Sequence, residues 1–308
     1  MPNATHFPYS ANTPGQHAAA LLGRAAPTSA TILLVGERGV GKTHLAKWVH
    51  AHSAVAQHPF VAVNCPSIPA DLLEAEVFGT GTGQTGKISA ADGGTLFLDE
   101  IGSLPAGAQN RLLGLLKQGA CEPNGDEGTH RSNVRIIATT NQKLHRLVQL
   151  GQFDKELYDH LAGMSIEVPP LRKRREEIPA IARHMLSEIC ASRGLGKISL
   201  NADALEFLID SKWPDNLREM RKTIERAAVA NKSGAIGGRD LMQSIKPAEN
   251  RQIGDEERVA AGDLITIEEL ETKHIRRILA QSKSLTSAAK TLGIDTSTLF
   301  RKRRRLGL

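Results

Sequence analysis

The chain has 308 residues but only three cysteines, and it contains no long apolar run. Cys65, Cys121 and Cys190 lie far apart, which excludes a disulfide framework and a CxxC metal site and is typical of a reducing compartment. No stretch approaches the roughly 18 uncharged apolar residues that a membrane helix needs. The first residues also lack the basic head and apolar stretch of a signal peptide. We therefore expect a cytoplasmic protein without a membrane partner.

Positive charge is concentrated at one end of the chain. The formal net charge is +6, and residues 265–308 hold 10 Lys and Arg against 4 Asp and Glu, so the remaining residues are neutral in sum. The residues from Arg301 to Arg305 are all basic. A neutral body with a basic end indicates a polyanionic partner for that end alone. A disordered, solvated charge run is the alternative, and the neighbouring residues must decide between the two.

Short apolar runs alternate with helical patterns in the first part of the chain. This alternation favours an α/β fold, in which a parallel sheet carries helices on both faces. The runs predict buried strands over Thr31–Val35, Phe60–Asn64, Thr95–Leu98, Val134–Thr139 and Ser165–Val168.

The pattern becomes all-helical after Pro169 and Pro170, which predicts a small helical domain. Its helices are predicted over Arg175–Arg193, Ala202–Lys212, Asn216–Asn231 and Arg239–Ser244. Residues 246–264 are polar and lack an apolar period, so we expect a linker there.

The segment from Gly36 to Thr43, GERGVGKT, matches the phosphate-binding pattern G-x-x-x-x-G-K-[ST]. It follows an apolar strand and opens a helix, which is the context that the pattern requires. Glycines let the backbone wrap around phosphates, and amide groups at a helix N-terminus point at negative charge. We expect Lys42 to reach the β- and γ-phosphates and Thr43 to bind magnesium. The candidate nucleotide-binding residues are Gly36, Glu37, Arg38, Gly39, Val40, Gly41, Lys42, Thr43 and His44.

Two strand ends carry candidate catalytic residues. The run TLFLDE ends in Asp99 and Glu100. In a protein with a phosphate-binding loop, an acid here holds magnesium and a second carboxylate can polarise the attacking water. The run VRIIATTN ends in Thr140 and Asn141. These two could reach the γ-phosphate or its water, or could simply form a turn.

These strings together resemble the bacterial enhancer-binding proteins, the AAA+ activators of sigma-54 RNA polymerase. The matching motifs are GERGVGKT, VNCPSIPADLLEAEVFG, ADGGTLFLDEIGSLP, VRIIATTNQKL, PPLRKRREEIP and WPDNLREMRKTIERA, over roughly residues 20–245. The resemblance implies an AAA+ nucleotide domain with a helical lid, and ATP with Mg²⁺ at the subunit interface of a ring. It also implies that Asn64 holds Glu100 in a switch, that Thr140 and Asn141 form sensor I, and that Arg218 reaches the nucleotide from the lid.

The chain departs from this family in two places. The family carries a GAFTGA loop that touches sigma-54, but residues Thr80 to Thr85 here read TGTGQT, which is shorter and lacks the aromatic tip. The family also carries two arginines in the arginine-finger region, and Asp154 and His160 replace them. An arginine finger is worth about 10³-fold or more in rate. We therefore expect ATP binding to be retained, with contact to sigma-54 and hydrolysis lost or impaired.

The basic end is predicted to form a helix-turn-helix. A short helix over Leu285–Leu292 ends at Gly293, and a second helix begins after Asp295, with Leu299 and Leu306 as its core positions. The arrangement resembles the Fis-type DNA-binding domain, which implies double-stranded DNA as a partner and dimerisation through the preceding helix. We expect Thr296, Ser297 and Thr298 to contact the edges of the DNA bases. We expect the DNA phosphates to be contacted by Arg301, Lys302, Arg304 and Arg305.

The predicted organisation is therefore an extension over residues 1–20, an α/β P-loop AAA+ domain over 21–170, a helical lid over 171–245, a linker over 246–264 and an all-α helix-turn-helix domain over 265–308. We expect a nucleoid-associated transcription regulator that binds ATP with little or no turnover. Two alternatives stay open: an active ATPase that remodels sigma-54 RNA polymerase, and an accessory subunit that joins a partner activator's ring.

Overall fold

The computed structural model describes residues 14–80, 86–118, 120–121, 130–131, 133–231, 233–245, 275, 278–279 and 285–305. Contacts divide the chain into two units, Met1–Ile245 and Lys246–Leu308. Within the described residues, no helix is both long and apolar enough to cross a membrane. The predicted linker over 246–264 and the loop over 81–85 lie outside the described residues.

A parallel five-stranded sheet is the centre of the first unit. Its order is β2-β3-β6-β1-β7, and every pairing in it is parallel. The strands of this part of the chain are β1 (Ile32–Val35), β2 (Phe60–Asn64), β3 (Thr95–Asp99), β4 (Ala120–Cys121), β5 (His130–Arg131), β6 (Arg135–Thr140) and β7 (Ser165–Glu167). Because the strands are parallel, the carboxyl ends of β1, β2, β3 and β6 meet at one edge, where the predicted site residues lie.

Both faces of this sheet are covered. Leu33 packs into one apolar cluster, whereas Ile32 and Leu34 pack into another, because successive side chains point to opposite faces. The helices of this part are α1 (Pro14–Ala25), α2 (Lys42–Ala51), α3 (Ala70–Phe78), α4 (Lys87–Ala90), α5 (Ala106–Gln118), α6 (Leu144–Gln149) and α7 (Lys155–Ala162). The predicted α/β P-loop fold is confirmed.

Helix α1 corrects the predicted start of the nucleotide domain. The helix spans the predicted boundary at residues 20 and 21, and Ala18 and Leu22 are buried in the same cluster as Ile32. The Arg135 guanidinium donates hydrogen bonds to the carbonyls of Ala25 (2.9 Å) and Ala26 (2.7 Å) at the end of this helix. Residues 14–20 therefore form part of a helix that packs on the α/β domain, since Ala18 lies in its core.

The lid has an apolar core of its own. It contains α8 (Ile178–Arg193), β8 (Ser199–Leu200), α9 (Ala202–Asp210), α10 (Asn216–Ala230), β9 (Ala235–Ile236) and α11 (Gly238–Ser244). The predicted helix from Arg175 begins instead as a 3-10 turn over Arg175–Glu177, and α8 proper follows with Pro179 in its first turn. That position suits proline because the first amides of a helix have no acceptor within it.

The second unit contains the two predicted helices of the basic end. Helix α12 (Leu285–Leu292) is followed by Gly293, whose φ of +67° is left-handed, and α13 (Thr296–Arg305) comes next. Ala288, Ala289 and Leu299 are buried together with Ile275. The helix-turn-helix is confirmed, and Leu299 is a core residue as predicted. Leu306, the other predicted core position, lies outside the described residues.

Candidate nucleotide-binding site

A cleft of about 600 Å³ lies at the carboxyl edge of the sheet, between the phosphate-binding loop and the lid. The loop and α2 provide one wall, the ends of β2 and β3 provide the floor, and α8 and α10 provide the other wall. Its lining residues include Arg38, Gly39, Val40, Gly41, Lys42, Thr43 and His44, then Asn64, Asp99 and Glu100, and from the lid Ile181, His184, Met185, Glu188, Leu217, Arg218 and Arg221.

Two glycines give the loop its path. Gly39 and Gly41 have φ values of +74° and +102°, which L side chains rarely adopt. A Cβ atom at Gly39 would also lie 2.2 Å from the carbonyl oxygen of Asp215 in the lid. Gly41 leads directly into α2, whose N-cap carries no side-chain hydrogen bond. The first amides of α2 therefore face the cleft and are available to an anion.

Lys42 is held at the centre of the site. Its side chain is only 6% exposed, and its Nζ donates to the carbonyl oxygens of Gly36 (2.7 Å) and Glu37 (3.2 Å). The Glu100 carboxylate lies 3.4 Å from Nζ. Burial lowers the pKa of Lys42, and Glu100 acts in the opposite direction. The ammonium group is thus positioned at the mouth of the loop, where phosphates would lie.

The two acids at the end of β3 lie on the floor of the cleft. Asp99 accepts a hydrogen bond from the Thr139 hydroxyl. Glu100 has a left-handed φ of +58°, and its Oε2 accepts the backbone N–H of Asn141 at 2.8 Å. The end of β6 thus fixes both acids through one hydroxyl and one amide.

Thr140, Asn141 and Asn64 make different kinds of contact beside the two acids. The Thr140 hydroxyl accepts the amide of Gln142 at 3.0 Å, which is the turn-forming alternative. Asn141 reaches Glu100 through its backbone, not its side chain. Asn64 lines the cleft, but among the described residues its side chain makes no hydrogen bond to Glu100. The predicted switch contact is therefore absent from this structure, in which Asn141 and Lys42 hold Glu100 instead.

The Glu37 side chain contacts the lid. Its carboxylate accepts two hydrogen bonds from Arg172 (2.6 and 2.7 Å) and one from Asn216 (3.1 Å). The hydrogen bond from Arg172 lowers the pKa of Glu37. Glu37 and Gly36 do not line the cleft. The second residue of the loop therefore binds the lid.

Further hydrogen bonds tie the loop to the lid. The Asn216 amide donates to the carbonyl of Arg38 at 3.0 Å, the Leu217 N–H donates to that of Gly39 at 2.9 Å, and Arg174 donates to that of Val40 at 2.9 Å. Three successive carbonyls of the loop are thereby paired with donors of the lid.

The lid also contributes charged residues to the cleft. Arg218, on α10, lines it as predicted, and no carboxylate within the described residues pairs with it. Glu188 pairs with Arg221 at 2.8 Å and with His184 at 3.4 Å. The sequence analysis missed this group, because nothing in the pattern of α8 indicates that it faces a loop about 140 residues earlier. Thr43 and His44 lie exposed in the first turn of α2.

Asp154 and His160 do not line the cleft. The Asp154 carboxylate is the N-cap of α7 and accepts the amide of Leu157 at 2.7 Å. His160 is exposed on the same helix. Asp154 has a structural role here, because an N-cap satisfies an otherwise unpaired helix amide.

In the second unit, the predicted DNA-binding residues lie on α13. Thr298 and Arg301 are exposed, and Thr296 and Lys302 are half-buried. The side chains of Ser297, Arg304 and Arg305 lie outside the described part of the chain. Of the predicted DNA-binding side chains that the structure describes, those of Thr298 and Arg301 are therefore accessible.

Comparisons with known families cover nearly the whole chain. Residues 10–167 match the family described as the sigma-54 interaction domain. Residues 172–258 match the AAA+ ATPase lid domain, and residues 266–306 match the bacterial regulatory protein, Fis family.

Individual relatives agree with these matches. The alginate biosynthesis transcriptional regulatory protein AlgB of Pseudomonas aeruginosa is 40% identical over 295 residues, covering 92% of this chain and 64% of the relative. The transcriptional regulatory protein XylR of Pseudomonas putida is 33% identical, and the match covers 92% of this chain and 54% of the relative. The crystal structure of NtrX from Brucella abortus in complex with ATP superimposes with a TM-score of 0.71 at 29% identity, covering 97% of this chain and 69% of that one. The chain thus spans under two thirds of the length of these two curated relatives.

Proposed function

The chain belongs to the sigma-54 interaction domain family, and we propose that it is a DNA-binding transcription regulator that binds ATP with weak or no hydrolysis. The observation that carries the proposal is the convergence of Lys42, Asp99 and Glu100 in one cleft, in a chain that also contains a Fis-type helix-turn-helix. The solved structure of the relative NtrX with ATP supports the choice of nucleotide.

The cleft suits a nucleoside triphosphate with magnesium. The α2 amides, Lys42 and Arg218 are positive or donating groups that would bind phosphates. The oxygens of Thr43 and Asp99 form the hard donor set that Mg²⁺ prefers. When bound, the ion neutralises charge on the β- and γ-phosphates. Glu100 is placed to orient a water molecule.

Weak hydrolysis is proposed because the residues that would act on a neighbouring subunit's ATP are missing. In the proposed correspondence with the family motif, Asp154 and His160 stand at the two arginine positions. An aspartate has the wrong charge to stabilise a transferring phosphoryl group, and a histidine lacks the bidentate guanidinium of arginine. The ATP would then act as a ligand for assembly or for conformation. Because the loop sequence over residues 80–85 is short, we propose that the chain makes no GAFTGA-type contact with sigma-54.

The DNA-binding part is proposed to act as a dimer. One helix-turn-helix places one recognition helix in the major groove, and two-fold symmetry supplies the second half-site. RNA polymerase and a partner activator's ring are the two candidate protein partners, and the ring would supply the arginines that this chain lacks.

Binding to double-stranded DNA tests the regulator proposal. We expect replacement of Arg301, Arg304 and Arg305 by alanine to lower the affinity of the full chain at least tenfold and to reduce the slope of log K against log salt by up to about 3, since each phosphate contact contributes about 0.9. The matched control replaces the exposed residues Lys143, Arg146 and Lys155 by alanine, which removes the same charge from the first unit. An equal loss of DNA affinity in the two triple variants would refute the proposal that α13 is the DNA-binding helix.

A further inference from the structure

Thr139 lies directly beside the two acids of the nucleotide site. β3 and β6 are parallel, and their register pairs Leu98 with Ala138, so the next positions, Asp99 and Thr139, are adjacent. Thr139 is completely buried. Its position follows from the pairing of two strands about 40 residues apart, and no motif in the sequence indicates it.

The Thr139 hydroxyl uses both its donor and its acceptor. It donates its proton to Oδ1 of Asp99, and it accepts the backbone N–H of Glu100 at 3.1 Å. A hydroxyl has a single proton, so the direction of the first bond fixes Oδ1 as the acceptor. One buried oxygen thus links the two acids.

The second bond lies at a strained point of the backbone. Glu100 has a φ of +58°, a conformation that is unfavourable for a residue with a side chain and that persists only when neighbouring contacts enforce it. The left-handed turn directs the Glu100 carboxylate toward the Asn141 amide and Lys42. The Thr139 oxygen is one of the contacts that hold this turn.

We propose that Thr139 is a positioning residue of the nucleotide site: its hydroxyl orients the Asp99 carboxylate toward the divalent cation and holds Glu100 in the left-handed turn. The inference rests on the proposed ATP and Mg²⁺ site. In this proposal the Thr139 hydroxyl acts through the two acids, to which it is hydrogen-bonded. Hydrogen-bond partners of a metal-binding carboxylate typically change metal affinity by 10- to 100-fold when they are removed.

The test compares nucleotide binding with and without Mg²⁺. A fluorescent ATP analogue is titrated into the full chain in excess EDTA and in a series of Mg²⁺ concentrations. For Thr139→Val, which keeps the shape of the side chain, we expect the Mg²⁺ concentration at half-saturation to rise about tenfold or more. The affinity in EDTA should stay within about twofold of wild type, because the loop and Lys42 are unchanged. Thr139→Ser keeps the hydroxyl and should restore wild-type Mg²⁺ dependence.

The matched control is Thr95→Val. Thr95 is also fully buried, and its hydroxyl contacts His50 at 2.9 Å near the other end of β3. The Thr95→Val substitution should leave the Mg²⁺ dependence of nucleotide binding unchanged. If Thr139→Val does not fold, Thr139→Ala replaces it, since it also removes the hydroxyl.

Three outcomes would overturn the inference. The Mg²⁺ concentration at half-saturation could be unchanged in Thr139→Val, or it could rise as much in Thr139→Ser as in Thr139→Val. Thr139→Val could also lose as much affinity for the analogue in EDTA as in Mg²⁺, which indicates a merely structural role. Failure of the proposed ATP site looks different. There, the wild-type chain itself binds no analogue, or Lys42→Ala binds it as tightly as wild type, and both proposals fall together.

Discussion

Asn216 connects the phosphate-binding loop to the lid through a single buried amide group. Its Oδ1 accepts the N–H of Leu171 at 2.8 Å, while its Nδ2 donates to the Glu37 carboxylate and to the Arg38 carbonyl. It is fully buried and has a left-handed φ of +48°, which asparagine tolerates better than most residues. Both its side chain and its backbone conformation therefore suit this position.

We predict that Asn216→Ala lowers the free energy of unfolding of the full chain by about 1–3 kcal/mol, because it leaves the buried amide of Leu171 and the partly buried carbonyl of Arg38 without their partner. Denaturant unfolding followed by circular dichroism measures the change. Asn201→Ala is the control, since Asn201 is exposed and its side chain does not cap α9. A change below about 0.5 kcal/mol in both variants would contradict the assigned role.

The residues of the site were only partly predictable. Lys42, Asp99 and Glu100 follow from motifs, because their chemistry fixes both residue type and spacing. Thr139 and Asn216 do not, because their partners come from distant strands and helices. Glu37 illustrates the same limit: the loop motif suggests a ligand to phosphate, but the tertiary fold places Arg172 beside its carboxylate.

Helix α1 shows how one buried charge can anchor an element. The end of the helix lies against Arg135, whose guanidinium reaches two carbonyls, and burial lowers the pKa of this arginine. Arg135 begins β6, so α1 is fastened to the same strand that ends at the nucleotide site. The first helix and the sheet edge therefore share one support.

We predict that Arg135→Ala destabilises the first unit by about 1–3 kcal/mol, since the buried Ala26 carbonyl loses its guanidinium donor and the Ala25 carbonyl keeps only its bonds from Thr28. Hydrogen exchange of the α1 amides should accelerate in the variant. Arg146→Ala, at an exposed position on α6, serves as the control and should have little effect. Unchanged exchange in α1 would show that Arg135 does not anchor this helix.

Strand and helix positions were predicted best where the apolar pattern is local. The strand Phe60–Asn64 and the helix Leu285–Leu292 have the predicted bounds. Helix α6 was missed because it is short and half of its residues are polar. Helix α1 was taken for part of an extension, since the burial of Ala18 and Leu22 depends on strands that follow later in the chain.

At the scale of the whole molecule, the nucleotide cleft and the basic helix-turn-helix lie in two units with separate cores. The first unit contains the nucleotide cleft, and the second contains the basic helix-turn-helix. The sequence analysis assigned all the excess positive charge to residues 265–308, which begin after the boundary between the units at residues 245 and 246. In the proposed account, nucleotide occupancy in one unit regulates DNA binding by the other through assembly.

Steady-state ATP hydrolysis by the purified chain, measured over a wide range of protein concentration, tests the central claim most directly. Binding of ATP is measured on the same samples, and Lys42→Ala gives the background. The account predicts that wild type binds ATP while its turnover stays at the background rate at every concentration. Turnover per subunit that rises with concentration and vanishes in Lys42→Ala would contradict it, because a subunit would then supply a catalytic group to its neighbour despite Asp154 and His160.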